Sequence, residues 1–474
     1  LKTRPDRTPV PRRTVLWGAA AGAALPAAYG LFAAPGATAA PAGAAVTTEE
    51  GASVAGMISD NDLWNSWAER ALVRVAAAGA DFGEILVAAA GVPDGDMDTW
   101  FSQWTAVAER SAALARDCAA RGHAVSARGA WLRAATYHQI AAFALFGSPG
   151  DRLKASFEQQ SRCFESGAAL LPYPVTPVEI PLDGHLMQGY FCRPDDSGAR
   201  RPTVVYTNGY DGTAQEMFFA HVPAAIERGY NILVFDGPGQ GRMLIRDGVP
   251  IHPHWDTVVG AAIDQVLRRP DVDADSIVLS GWSFGGFLAP RAACGEHRIA
   301  ALIADPGALD QRRTLLKFMS PDDAAGFPGT ASPRLVAQLA AIEEHLRVNG
   351  PAAPRWQIIQ RGLWVHGKDT LFDYLADLTR FDISAIAGGI DCPTLLTAAE
   401  NDPLSAGAPA LRDAIGSHAT LVEFTAAEGA GGHCESHARA LYHQRVYDWL
   451  DETLGSGGGT GTGSLGSLGS LGSA

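Results

Sequence analysis

Residues 280–286 read Ser-Gly-Trp-Ser-Phe-Gly-Gly, an apolar run at 277–279 leads into them, and Phe287, Leu288 and Ala289 follow. The pattern is a strand, a sharp turn and the start of a helix, with a G-x-S-x-G pentapeptide at the turn. Glycine at 281 and 285 lets two backbones approach closely. The turn strains the residue between them and leaves its side chain exposed at the tip. Ser283 is therefore the candidate nucleophile. In a chain with 53 glycines such a pentapeptide also arises by chance, so the elements around it decide its meaning.

Those elements form an ordered series. Residues 202–206 (PTVVY) run into Thr207-Asn208-Gly209-Tyr210-Asp211-Gly212, and 230–235 (YNILVF) into Asp236-Gly237-Pro238-Gly239-Gln240-Gly241. Each reads as a buried strand ending in a glycine-rich turn, and helical patterns at 216–228 and 254–268 separate them. After the serine come apolar strands at 299–304 and 393–398 (PTLLTA). The latter ends at Ala399-Glu400-Asn401-Asp402-Pro403-Leu404. A last strand at 420–425 leads to Ala430-Gly431-Gly432-His433-Cys434 and a closing helix through residue 450. Strands alternating with helices predict an α/β chain with a mostly parallel sheet.

This arrangement resembles the α/β-hydrolase fold, in which nucleophile, acid and histidine follow in that chain order on loops at the C-terminal edge of the sheet. The order here is Ser283, Asp402, His433. A hydroxyl is a poor nucleophile until an imidazole takes its proton, and a carboxylate holds the imidazole's tautomer and stabilises its positive charge. Asp402 is preferred as the acid because it lies in the loop after the strand; Glu400, nearer the strand end, is the reserve. His433 is preferred because Gly431 and Gly432 place it on a turn directly after the final strand. His437 and His443 fall within the closing helical pattern, as surface or packing histidines. The same resemblance implies an oxyanion hole built from the backbone N–H of Phe284 and of Tyr210. The loop carrying Tyr210 has Asn208 where many hydrolases have histidine. Asp211 is left as a loop-orienting residue, a substrate contact or a solvated turn aspartate. Asp305, after another core strand, is left as an alternative acid, a substrate contact or a helix cap.

The formal net charge of -14 and the lack of a basic face exclude nucleic acid as an expected partner. The first forty residues carry Arg12 and Arg13, then a mild apolar stretch ending at Ala37-Thr38-Ala39. They look like a twin-arginine export signal, so secretion is expected, with the membrane met only during export. Six cysteines, at 118, 163, 192, 294, 392 and 434, show no C-x-x-C spacing, so no metal site and no redox motif is indicated. No cofactor is expected. Cys434, beside His433, reads as a small packing residue.

Between the signal and the core, residues 58–171 show helical spacing of Trp64, Trp67 and Leu72, of Trp100, Trp104 and Val107, and of Trp131 with Tyr137. Most of these aromatics read as core. Segments 178–182 and 185–191 alternate around Asp183-Gly184 as an antiparallel hairpin. A helical front, then Gly209-Tyr210-Asp211-Gly212-Thr213 with Glu216, the 236–241 loop and the 281–286 elbow together resemble the dihydroxypseudooxynicotine hydrolase family. That resemblance covers about residues 58–454. It implies a two-domain serine hydrolase with its active site between the helical domain and the core. Some members cleave a carbon–carbon bond next to a ketone, others esters or amides.

The expected organisation is therefore a signal at 1–39, a linker at 40–57, a helical cap domain at 58–171, and a hydrolase core at 172–454. The core carries a helical lid insertion at 309–390, and a Gly/Ser-rich tail that cannot fold follows at 455–474. The favoured function is an exported serine hydrolase of an ester or amide of a small organic substrate. A carbon–carbon hydrolase and a catalytically silent binding protein are the alternatives, and a homodimer stays open.

Overall fold

The computed structural model describes residues 58–59, 61–312 and 319–455; the expected signal at 1–39, the linker at 40–57 and the tail beyond residue 455 lie outside the described residues. The apolar segments form one eight-stranded sheet in the order β1-β2-β4-β3-β5-β6-β7-β8. Strands β1 (Val175–Leu182) and β2 (His185–Cys192) make the expected hairpin around Asp183 and Gly184. Strand β2 pairs antiparallel with β4 (Asn231–Phe235), and from β4 onward every neighbouring pair is parallel. The remaining strands are β3 (Arg201–Thr207), β5 (Val272–Trp282), β6 (Ala301–Asp305), β7 (Thr394–Ala399) and β8 (Ala419–Phe424). Every residue of β4 and β6 is buried, as expected for strands covered by helices on both faces.

Most strand limits lie within two residues of the sequence reading. The exceptions are β1, which begins three residues before the reading at 178, and β5, which begins five residues before the apolar run at 277 because Arg201 already pairs with Val272. Ala274 and Asp275 are exposed there, so main-chain pairing extends the strand where no apolar pattern marks it.

Five longer helices, Asp62–Leu72, Phe82–Ala89, Met97–Ala120, Ala124–Ala142 and Asp151–Ala168, build the helical front. Trp64, Trp67, Trp100 and Trp104 are all at most 1% exposed, and Trp64 stacks on Trp100 at 4.7 Å. These side chains bury a large apolar area in one cluster and fix how the helices cross. The insertion after β6 contains the expected helices, Pro333–Val348 and Leu371–Leu378, packed around Leu339, Leu346 and Tyr374. Trp356, also from the insertion, enters the tryptophan cluster instead. Its ring lies 5.1 Å from Trp67 and its indole N–H donates to the Phe143 carbonyl at 2.8 Å. Helical front and insertion are thus welded through one aromatic core.

Candidate active site

The elbow is built from close approaches. Ser283 has φ 61°, in the left-handed region that a non-glycine residue adopts only when its surroundings hold it there. Its N–H donates to the Asp305 carbonyl at 2.6 Å, tying the turn to the end of β6. A methyl group at Gly281 would lie 2.0 Å from the Gly285 carbonyl oxygen, and one at Gly286 would lie 2.0 Å from that of Pro306. One at Gly285 would lie 2.8 Å from the carbonyl oxygens of Thr207 and Asn208. The glycines are where strand, helix and neighbouring loop touch main chain to main chain.

The structure brings Ser283, His433 and Asp402 together. His433 Nε2 lies 2.9 Å from Ser283 Oγ, and His433 Nδ1 lies 2.8 Å from Asp402 Oδ2. With Nδ1–H donated to the carboxylate, the Nε2 lone pair faces the hydroxyl. Asp402 also accepts from the Leu404 N–H at 3.0 Å, so it caps the turn after β7 and holds the imidazole at once. Burial pulls the His433 pKa down, but the Asp402 carboxylate, with Asp305 and Glu69 behind it, carries it above the ordinary histidine value. The set can draw a proton from Ser283 and return it to a leaving group.

Of the rivals weighed on the sequence, none takes these places. Glu400 is exposed and accepts from the Ala426 N–H at 2.7 Å. Asp305 caps no helix; it is fully buried, accepts from Thr397 Oγ1 at 3.0 Å and pairs with Arg439 at 3.3 Å. His443 is a packing residue on the closing helix, Arg439–Thr453, with Nε2 2.9 Å from the Ala220 carbonyl oxygen. His437 is a correction. It lies in the turn His433–Ala438 before that helix, and its Nε2 is 2.6 Å from Glu69 of the helical front. Cys434 and Glu435, at φ 52° and 47°, break the helical path and delay the regular helix until residue 439, which a helical pattern running on from 437 does not reveal.

Cys434 is buried with φ 52°, and its Sγ lies 3.4 Å from His433 Nε2. All six cysteines are unpaired. Donor atoms of Asp402, His433 and Cys434 lie within 4.8 Å of one another. Both imidazole nitrogens are already engaged by Ser283 and Asp402, and burial pushes the Cys434 thiol well up, so the donor set does not suit a metal ion.

The loop after β3 lies against the elbow: a methyl group at Gly209 would be 3.1 Å from Ser283 Cβ. Asn208 fixes this loop. Its side chain accepts from the Gly209 N–H at 2.7 Å and donates to Asp236 at 3.2 Å, while Gln240 Nε2 donates to the carbonyls of Asn208 and Gly209 at 2.9 and 2.7 Å. Burial pushes the Asp236 carboxyl up to about 7. The rings of Tyr210 and Phe284, from this loop and from the elbow, meet edge to face at 5.2 Å.

In front of Ser283 is a small cavity lined in part by Ser66, Glu69, Arg70 and Val73 of the helical front. Asp211 and Glu216 form its floor. Asp211 is not a solvated turn residue; it pairs with Arg70 at 3.1 Å and with Arg361 of the insertion at 3.3 Å. Glu216 pairs with Arg70 at 2.6 Å and Arg74 at 2.7 Å, and accepts from Gln139 at 2.8 Å. Its burial would raise the carboxyl pKa, but the two guanidiniums overcome this and hold it down at about 2. The sequence reading named neither arginine pair. Arg70, in the last turn of the helix Asp62–Leu72, and Arg74, just beyond its end, were the available signal.

A mostly parallel sheet whose fifth strand ends in a serine elbow defines the α/β-hydrolase class. Residues 204–447 match the model described as Alpha/beta hydrolase family, and 72–309 match one described as Esterase FrsA-like; the chain belongs to the alpha/beta hydrolase family and is a hydrolase. It is 31% identical to 20-hydroxy-prefusarin hydrolase FUS2 of Gibberella moniliformis, over 83% of this chain and 97% of that one. It is 30% identical to Hydrolase LUC6 of a Fusarium species, over 80% of this chain and 93% of that one. Among solved structures it resembles 2,6-dihydroxy-pseudo-oxynicotine hydrolase, with a TM-score of 0.63, 23% identity, and coverage of 81% of this chain and 96% of that one.

Proposed function

We propose that this hydrolase works through Ser283 as nucleophile, His433 as general base and acid, and Asp402 as the residue that orients and charges the imidazole. The observation that carries this reading is the unbroken pair of contacts, 2.9 Å from Ser283 to His433 and 2.8 Å from His433 to Asp402, at the edge of a cavity. Ser283 Oγ bonds to the substrate carbonyl carbon as its proton passes to Nε2. The oxyanion is received by the amides of Tyr210 and Phe284. The scissile bond then breaks, His433 gives its proton to the leaving group, and water drawn in by His433 hydrolyses the acyl-enzyme.

The favoured substrate is an ester or amide of a small or medium organic acid. A second reading, cleavage of a carbon–carbon bond beside a ketone, follows from the resemblance of about residues 58–454 to the dihydroxypseudooxynicotine hydrolase family. There the leaving group is a carbanion or enolate, and the proton from His433 goes to carbon or oxygen of that group. A panel of esters, amides and β-diketones with product analysis separates the two. Alcohol or amine plus acid supports the first; a ketone plus a new carboxylate supports the second. Turnover of no panel member would return the binding-protein alternative.

Export through the twin-arginine route belongs to the same proposal and rests on Arg12, Arg13 and the Ala37-Thr38-Ala39 site. Fusing residues 1–45 to a reporter should send it across the membrane, and Arg12→Lys with Arg13→Lys should retain it inside. Equal export of both fusions would contradict it.

A further inference from the structure

A second cavity adjoins the first and is the larger of the two. Val73, Glu216, Trp282 and Ser436 line both, so the two are separated by no more than the thickness of these side chains. Trp282 immediately precedes Ser283 in the elbow and is half-buried between them. Its ring is propped from the far side by His221, edge-on at 5.1 Å, and by the Arg439 guanidinium at 5.3 Å.

The far cavity runs between the helical front and two helices of the core. One wall is Ala76 and Ala77; the opposite wall is Phe219, Pro223 and Ala224 of the helix Ala214–Glu227. Its cations are already matched. Arg74 pairs with Glu216 at 2.7 Å, Arg439 with Asp305 at 3.3 Å, and Arg228 donates to the Ala224 carbonyl at 3.1 Å while lying over Tyr447. The Arg439 Nε is buried without a partner among the described residues, and the surface between these groups is mostly apolar. A pocket of this kind is filled by hydrocarbon or aromatic groups rather than by an anion.

We infer that the second cavity is the subsite for an extended apolar arm of the substrate, which passes Trp282 while the scissile carbonyl sits at Ser283. This rests on the serine-hydrolase reading above and adds the substrate's shape to it. The side chains that the two cavities share, Trp282 among them, and the greater size of the one away from the nucleophile favour a long substrate over a compact one.

The test uses two phosphonofluoridates, one with ethyl and one with dodecyl as its variable substituent. In each, Ser283 Oγ bonds to phosphorus, the phosphorus–fluorine bond breaks, fluoride leaves and the serine proton passes to His433. The substituent stays on the adduct and has to be housed. Ala76 and Ala440 line only the far cavity and are exposed, so Ala76→Trp and Ala440→Trp fill it from opposite walls without disturbing the core. The wild type should be labelled at least tenfold faster by the dodecyl probe than by the ethyl probe, and each variant should reduce that preference to less than threefold. A wild type without the preference, or two variants that keep it, overturns the inference while leaving Ser283 as nucleophile. Failure of both probes to label the wild type overturns the serine reading itself, and the subsite falls with it.

Discussion

At Ser283 the fold spends backbone strain, and the return is a hydroxyl held 2.9 Å from an imidazole whose other nitrogen is fixed by a carboxylate. Removing the carboxylate's charge should cost more than any change in packing. Asp402→Asn is expected to lower kcat by about 10⁴, because the amide turns the imidazole to the wrong tautomer. Stopped or steady-state kinetics with a soluble ester would check it; a loss under tenfold would argue that another acid serves. The direction of the His433 shift predicts the pH profile. Its pKa lies above the ordinary value of 6.5, and only the neutral form accepts the serine proton. Activity should therefore fall away as pH drops through a value above 6.5, and Asp402→Asn should move that limb to lower pH by removing the main raising cause. A limb below pH 6 in the wild type would contradict this.

At the scale of elements, the loops and the helix start that surround the serine are held by main-chain approach and by ion pairs. Gly286→Ala drives a methyl into the Pro306 carbonyl, so the helix Gly285–Ala293 has to lift from the end of β6. Overpacking of this kind costs about 1–3 kcal/mol or more, and the elbow should lose activity out of proportion to stability. Urea unfolding set beside kcat on the same preparation would show it. The arginine pairs join three separate parts of the chain, since Arg70 and Arg361 meet on Asp211 while Arg70 and Arg74 meet on Glu216. Arg70→Ala leaves Asp211 with Arg361 and Glu216 with Arg74 and Gln139, so it should destabilise the fold by the lost charged hydrogen bonds, about 1.5–3 kcal/mol. A change under 1 kcal/mol in chemical denaturation would mean that the pairs contribute little.

Much of this scale was legible in the sequence. Strands, the serine turn, the hairpin at Asp183-Gly184 and the helices of the insertion follow from periodicity, glycine placement and capping residues such as Ser332 before Pro333. Ser283, Asp402 and His433 were legible as candidates because each lies in the loop or turn that follows an apolar strand. The contacts between distant parts were not. Glu216 stands three residues after Thr213 as a capping-box glutamate would, and Thr213 does cap the helix, yet the carboxylate turns to Arg70 and Arg74. Local pattern fixes where such a side chain starts, and only the packing of the helical front decides where it points. The same holds for Trp356, whose place in the front's aromatic cluster no spacing within the insertion announces.

Over the whole molecule, the buried charges set how stability responds to acid. Glu216 has an ordinary pKa of 4.5 and is held at about 2 in the folded chain, so the folded state binds this proton less readily than the unfolded one. Its contribution, about 3 kcal/mol, is present above pH 4.5 and is lost as pH falls towards 2. Glu216→Gln should flatten that part of the stability curve, measured by urea unfolding between pH 3 and 7; an unchanged slope would show that other carboxyls dominate. The cavity in front of Ser283 exists only because the helical front and the core meet there, so stability and substrate recognition depend on the same contacts. The most direct test of the account is the intact mass of the protein after a fluorophosphonate, beside that of Ser283→Ala. One adduct per chain that disappears in the variant is the result the account predicts; an unmodified wild type, or an adduct that survives the substitution, would contradict it.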